Sequence, residues 1–348
     1  MATMQALVVN SRSAAPRLEP RELPMPVPKP HEVLVRVAAC GICYHDVAVV
    51  NGTLRRGVKP DVVLGHEASG YVHQIGDGVT AVQPGDRVVT ALTTFCGNCP
   101  RCDAGNEYRC VRGRGFGHGL DGGFAQYMLV PETSAIPIPD NIDTIDAALL
   151  GCPIGVAINA LEDAARLRSG ETALVVGAGG GLGVHLAQVA AAMGARVFAI
   201  TTSPEKISAL ETLQGVEALL ADSELDFSEI VLALTEDNGA NVALNPVGSV
   251  QFNSCLASMA QFGRMIVLGE VAGHAARFNL AELLFRDAII TGSTGASPRH
   301  IHKAIDLVAR GAVQPAVSRQ YTFDDAAMAI EDMQAARTFG RVAIIPPD

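Results

Sequence analysis

The sequence predicts an α/β chain of two parts, a β-rich domain followed by a doubly wound parallel-sheet domain. Three observations predict it. Short apolar runs between Gly and Pro punctuation fill roughly the first 150 residues. A glycine cluster then joins a strand-like run to a helix-like run at 173–183. Further continuous apolar runs follow up to 293, as parallel strands covered on both faces require. The chain has 348 residues, enough for two cores, and its 49% hydrophobic and 18% charged residues describe a globular protein. The net charge of −10 and the lack of a clustered basic run argue against a nucleic-acid partner bound by counterion release.

In chain order, QALVV (5–9), EVLVRVAA (32–39), ASGYVHQIG (68–76), DRVVTAL (86–92) and AQYMLVP (125–131) read as strands, with a turn at PGD (84–86). LPMPVPKP (23–30) reads as an extended connector. From about 151 the texture changes, with AINALEDAARL (157–167) helix-like, then ALVVGAGGGLG, HLAQVAAAMG and RVFAI as strand, turn, helix and strand. Strands follow at VALNPV (242–247), RMIVLG (264–269) and AIITGS (288–293). The tail predicts helices over 298–310 and 323–334 and a last strand GRVAIIP, packed back on the first domain. The expected division is therefore 1–150 with 294–348 against 151–293. Residues 173–200 are long enough to cross a membrane, but five glycines within seven positions, then His185, Gln188 and Arg196, argue for a soluble chain.

Cys96, Cys99, Cys102 and Cys110 stand as C-x2-C-x2-C-x7-C in a loop rich in Gly, Asn, Asp and Pro. Four thiolates at this spacing suit a structural Zn²⁺, which would supply the order that so polar a lobe (94–112) cannot draw from burial. Two disulfides or four free thiols are the alternative. The N-terminus lacks a signal peptide, and the reducing cytoplasm then expected favours metal.

The run Gly177-Ala178-Gly179-Gly180-Gly181-Leu182-Gly183 follows a strand and precedes an Ala-rich helix. That context makes it a dinucleotide fingerprint, in the register Ala178, Gly180, Gly183: the glycines let a pyrophosphate approach the helix N-terminus. At the end of the next strand Thr201 stands where a carboxylate would select NAD. Thr201, Thr202 and Ser203 can hydrogen-bond a 2′-phosphate and Lys206 can add charge, so the expectation leans to NADP over NAD.

Three further segments carry metal chemistry: Cys40-Gly-Ile-Cys43-Tyr44-His45-Asp46, Gly65-His66-Glu67 and Leu149-Leu-Gly-Cys152-Pro. Two thiolates and one imidazole neutralise Zn²⁺ and leave a fourth position open, as at catalytic sites. With the four-cysteine lobe and the Gly run in the same order, the chain resembles the zinc-dependent medium-chain alcohol dehydrogenases over essentially its full length.

The resemblance implies a GroES-like catalytic domain beside a Rossmann domain. It implies Cys43, His66 and Cys152 as catalytic-zinc ligands, Glu67 as an acid able to approach the metal, and Asp46 as the carboxylate orienting the His66 ring. It places Arg341 at the cofactor pyrophosphate, and the backbone of Val267, Leu268, Gly269, Thr291, Gly292 and Ser293 at the nicotinamide carboxamide. It also implies a homodimer or homotetramer and a small alcohol or carbonyl substrate, oxidised or reduced reversibly by hydride transfer. Cys40 and Cys43 could instead form a redox pair, although Cys40 reads better as a packed thiol. Cys255 and the histidines at 31, 73, 118, 185, 274, 300 and 302 read as ordinary side chains.

Departures from the family pattern bear on proton transfer. His45 stands where Ser or Thr is usual, Ala48 where many relatives have a relay His, and Tyr44 where several have a basic residue. His45 could shuttle the proton through the cofactor ribose, or serve only as a hydrogen-bond donor. Two other functions compete: reduction of an activated C=C bond, as in acryloyl- or enoyl-thioester reductases, and a non-catalytic NADP-binding sensor.

Overall fold

A computed structural model describes residues 2–10, 17–222 and 226–347. The strands are β1 (Thr3–Val9), β2 (Leu18–Pro24), β3 (Glu32–Gly41), β4 (Glu67–Ile75), β5 (Arg87–Thr90), β6 (Tyr127–Pro131), β7 (Ala135–Pro137), β8 (Thr172–Val176), β9 (Arg196–Thr201), β10 (Val216–Leu220), β11 (Ala240–Asn245), β12 (Met259–Val267), β13 (Ile289–Gly292), β14 (Val317–Tyr321) and β15 (Arg341–Ile344). The chain forms two compact units: Met1–Gly155 with Gly295–Ala309 and Val317–Asp348, and Val156–Thr294 with Arg310–Ala316.

In the first unit, β14, β15, β3, β4, β5 and β7 form one sheet, with β6 also paired to β3. In EVLVRVAA Val33, Leu34, Val35, Val37 and Ala39 are buried and only Arg36 is exposed, as in a strand covered on both faces over much of its length. Phe116, Phe124, Met128, Leu7, Leu64 and Ile42 are fully buried in that core. Truncating a buried Phe in such a core typically costs about 3–5 kcal/mol.

Register at one end of this sheet matters most. Gly41, the last residue of β3, lies opposite Glu67 at the start of β4 and opposite Ala343 of β15. The Ile42 amide donates to Val342 O at 2.9 Å. Three strand ends thus deliver Cys43, His66 and Arg341 to one place.

The second unit is a fully parallel sheet in the order β10-β9-β8-β11-β12-β13, the doubly wound order of a Rossmann domain. The stretch 173–200 resolves into β8, the glycine turn, the helix Gly183–Ala192 and β9. Among the described residues no helix is long and apolar enough to cross a membrane.

Some sequence expectations need correction. The Pro-rich piece is not wholly a connector: Leu23 and Pro24 end β2, paired with Met4 and Thr3 in a two-stranded sheet where a missing amide is tolerated. Residues 310–316 belong with the second unit rather than the first. The Gln188 amide accounts for this, because it donates to Gln314 O at 3.0 Å and accepts from Gln314 N at 2.8 Å. His185 Nε2 accepts from the Ala316 amide at 3.1 Å, and its Nδ1 donates to Gly181 O at 2.7 Å.

The tail is tied to itself by Asp332 in the helix Ala326–Gln334. Its carboxylate accepts from Tyr321 Oη at 2.6 Å, Arg319 at 3.0 Å and Arg337 at 3.3 Å. The Tyr321 hydrogen bond, more than any other partner, holds this carboxyl below its usual range. A group whose folded pKa is depressed stabilises the fold above its unfolded pKa, and that contribution is lost as pH falls through the folded value. Asp332→Asn should therefore lower the thermal midpoint at pH 7, and the gap to wild type should close on acidification below the usual carboxylate range. A gap independent of pH in scanning calorimetry would contradict this.

Candidate active site

Ligand atoms of Cys43, His66, Glu67 and Cys152 all lie within 4.8 Å of one another in the first unit. Each is placed by its local backbone. Cys43 caps the helix Tyr44–Val50. His66 follows Gly65, whose φ of 88° favours glycine and where a Cβ would stand 2.6 Å from Cys40 Sγ. Cys152 lies in a π-helical turn, Leu150–Ile154, in which Ile154 N reaches back to Leu149 O at 3.1 Å. Pro153 has no amide to donate there, and such π-bulges recur at functional sites.

Glu67 is fully buried and forms an ion pair with Arg341 at 2.9 Å. Gly41 makes room for it, since a Cβ there would stand 2.2 Å from Glu67 Oε2. Burial raises the Glu67 pKa to about 7, against the lowering effect of Arg341. Burial opposes the charge on His66 too, but the Cys43 thiolate and the nearby carboxylates outweigh it and bring the pKa to about 9. The Cys152 hydrogen bond drives Cys43 well below the usual thiol range, and the same bond drives Cys152 above it. Two thiols, an imidazole and a carboxylate whose ligand atoms converge in this way are a donor set that suits a divalent ion.

Two residues given roles from the sequence have further partners in the structure. Asp46 Oδ1 is 4.0 Å from His66 Nδ1, too far for a hydrogen bond to the ring. Its oxygens instead accept from Cys43 N at 2.8 Å and Gly65 N at 3.3 Å, so it fixes the backbone beside two ligands. Arg341, expected at the pyrophosphate, is 4% exposed and has its guanidinium on Glu67, the nearest buried anion. His118, read from sequence as an ordinary side chain, is also part of the surroundings: its Nδ1 lies 3.1 Å from His45 Nε2. The His45 ring stands edge-on to His66 with centroids 5.1 Å apart. Sequence spacing carries no sign of the His118 contact, which links segments distant in the chain.

In the 94–112 lobe, neighbouring sulfurs are 3.4 Å (Cys96–Cys110), 3.5 Å (Cys99–Cys102) and 3.9 Å (Cys96–Cys102 and Cys99–Cys110) apart. A zinc tetrahedron with bonds of 2.3 Å has edges of about 3.8 Å. No disulfide joins the four cysteines, whose sulfurs are 3.4 Å or more apart. Backbone amides, that of Val111 foremost, lower the Cys99 pKa to about 6, readying it as a thiolate ligand.

In the second unit the glycine run forms the turn between β8 and the helix Gly183–Ala192. A Cβ on Gly183 would meet Gly177 O at 2.2 Å, so only glycine allows the helix to start this close to the turn. Lys206 methylenes lie against Gly179, while Thr201 Oγ1 accepts from Ser203 N at 3.2 Å. The segments at 267–269 and 291–293 are adjacent, with Ser293 N donating to Val267 O at 3.0 Å. Asn245, unremarked in the sequence, caps the neighbouring turn by accepting from Val247 and Gly248 amides at 3.0 and 2.7 Å.

Known proteins resemble this chain over nearly its whole length. Residues 29–140 match the alcohol dehydrogenase GroES-like domain and residues 181–310 the zinc-binding dehydrogenase domain. The acryloyl-coenzyme A reductase of Metallosphaera sedula is 34% identical over 98% of this chain and 99% of its own. A crystal structure of an NAD-dependent alcohol dehydrogenase superposes with a TM-score of 0.93 at 31% identity, over 98% of this chain and 99% of that one. A Sinorhizobium meliloti 1021 structure bound to NADP gives 0.87 at 30% identity, over 99% of this chain and 100% of that one. The chain belongs to the zinc-dependent medium-chain dehydrogenase/reductase family and is an oxidoreductase.

The two amide bonds of Asp46 generate a test. Hydrogen bonds to a charged group are each worth about 1.5–3 kcal/mol. If Cys43, His66 and Cys152 hold a metal, Asp46→Ala should release it to a chelator roughly 10–100-fold more readily, with any metal of the four cysteines retained. Equal retention in variant and wild type would contradict the assignment.

Proposed function

We propose that the protein is a zinc-dependent NAD(P)(H) oxidoreductase that interconverts an alcohol and an aldehyde or ketone. The convergence of Cys43, His66 and Cys152, with Glu67 behind them, carries the reading. Cys43, His66 and Cys152 would hold a catalytic zinc, and the four lobe cysteines a structural one. When bound, the catalytic zinc supplies Lewis-acid stabilisation of charge on a substrate oxygen. Arg341 keeps Glu67 from adding an uncompensated anion to the cluster. His45, with His66 on one side and His118 on the other, is suited to carry the proton released at the substrate out through His118. The glycine turn would bind the pyrophosphate, and the absence of a carboxylate at Thr201, with Lys206 beside Gly179, favours NADP.

A second reading, reduction of an activated C=C bond in an acyl thioester, is favoured by the similarity to an acryloyl-coenzyme A reductase. Turnover of primary alcohols, secondary alcohols and enoyl thioesters with both cofactors separates the two. An expected homo-oligomer has support in the exposed Leu280, Leu284 and Phe285, close in sequence to the sheet-edge strand β13.

Elemental analysis should find two zinc ions per chain. Cys152→Ser should remove one, with turnover falling on the order of 10³-fold and the fold intact by circular dichroism. Full turnover with one zinc in that variant would exclude the metal reading. His45→Ala should lower kcat by roughly 10²-fold or more while the KM for cofactor changes little. Unchanged kcat would remove His45 from proton transfer. Steady-state kinetics should give a lower KM for NADPH than for NADH, and the reverse order would reject the phosphate assignment.

A further inference from the structure

We infer that the substrate of the Cys43–His66–Cys152 site carries phosphate, recognised by Arg55, Arg56 and Arg114 on the two loops that hold His118 beside His45. The inference rests on the proposed oxidoreductase reading only in taking that site to receive a substrate.

The observation is a local reversal of charge. The chain has ten more carboxylates than Lys and Arg together, yet residues 53–60 contain Arg55, Arg56 and Lys59 and no acid. Residues 111–120 contain Arg112 and Arg114 and no acid. Lys59 is paired with Asp121. Arg55, Arg56 and Arg114 are exposed and have no carboxylate partner among the described residues. Arg55 Nε donates to Gly52 O at 2.9 Å, and Arg114 to Gly119 O.

The loops that carry these cations touch His118, and through it the His45–His66 side of the site. Lys59 N donates to His118 O at 2.7 Å, joining the two loops. A Cβ on Gly57, next to Arg56, would stand 3.1 Å from His118 Nε2, and one on Gly119 would stand 3.6 Å from Arg114 Nε. His118 touches His45, and His45 touches His66. Three unpaired guanidinium groups at this place offer more donors than one carboxylate can accept, whereas a phosphate ester, with two charges and three free oxygens, suits them. Like charges without a carboxylate partner in an acidic protein would also steer an anion to the site.

Two sources share this chemistry, a compact phosphate ester and the nucleotide tail of a coenzyme A thioester. The zinc-loaded enzyme saturated with NADPH, which occupies the cofactor site, should be titrated by calorimetry with coenzyme A, glucose 6-phosphate and uncharged pantetheine. One or both phosphates should bind, with Kd rising about tenfold between roughly 0.05 M and 0.3 M salt. It should rise at least about tenfold in Arg55→Ser/Arg56→Ser/Arg114→Ser. Binding of coenzyme A alone identifies the nucleotide tail, and binding of both phosphates identifies a compact ester. The proposal is overturned if neither phosphate binds, if pantetheine binds as tightly as coenzyme A, or if neither salt nor the substitutions weaken binding. The salt series on the unaltered enzyme decides the matter should the triple variant not fold. Hydride transfer to uncharged ketones by the same wild-type preparation tests the oxidoreductase reading separately.

Discussion

The ion pair between Arg341 and Glu67 is the constraint on which the first unit depends. Glu67 is fully buried among Cys43, His66 and Cys152, where an unpaired carboxylate would repel the thiolates. Removing one member of such a buried pair typically costs about 3–5 kcal/mol. The neutralising charge sits on the first residue of the last strand, so the chain must return to the unit in which it began. The pairing of β15 with β3 achieves this, and the same register brings Cys43 and His66 together.

The two units solve different physical problems. The first gathers two thiols, an imidazole and a carboxylate with a balancing arginine, and it surrounds them with fixed backbone. Asp46 contributes by holding two amides, and Gly41 by leaving the space Glu67 fills. The second unit gathers no charge. It opens the backbone at the C-terminal ends of parallel strands, with Gly183 allowing the helix to begin almost on the turn. In the proposed function the first arrangement serves substrate chemistry and the second dinucleotide chemistry.

Much of this was legible in the sequence, and the residues that were not share a cause. The four-cysteine lobe is visible because its ligands are close in the chain, so spacing alone encodes geometry. The glycine turn is visible because its neighbours are a strand and a helix. Cys152 could be selected only through the family resemblance, since its turn has no ligand spacing of its own. Asp46, Arg341 and His118 show why the rest was hidden: their partners are set by strand register and loop packing. Asp46 binds amides rather than the His66 ring, and Arg341 binds the acid beside the metal ligands. The placement of residues 310–316 likewise depends on a side chain, Gln188, that pairs with backbone far away in sequence.

The account's central claim is a metal held by three side chains from distant segments. Anomalous scattering at the zinc edge, recorded on crystals of the active enzyme, tests it most directly. The account predicts two peaks, one enclosed by the lobe cysteines and one within bonding distance of Cys43 Sγ, His66 and Cys152 Sγ. A single peak in the lobe, from crystals whose dissolved enzyme still turns over, would contradict it.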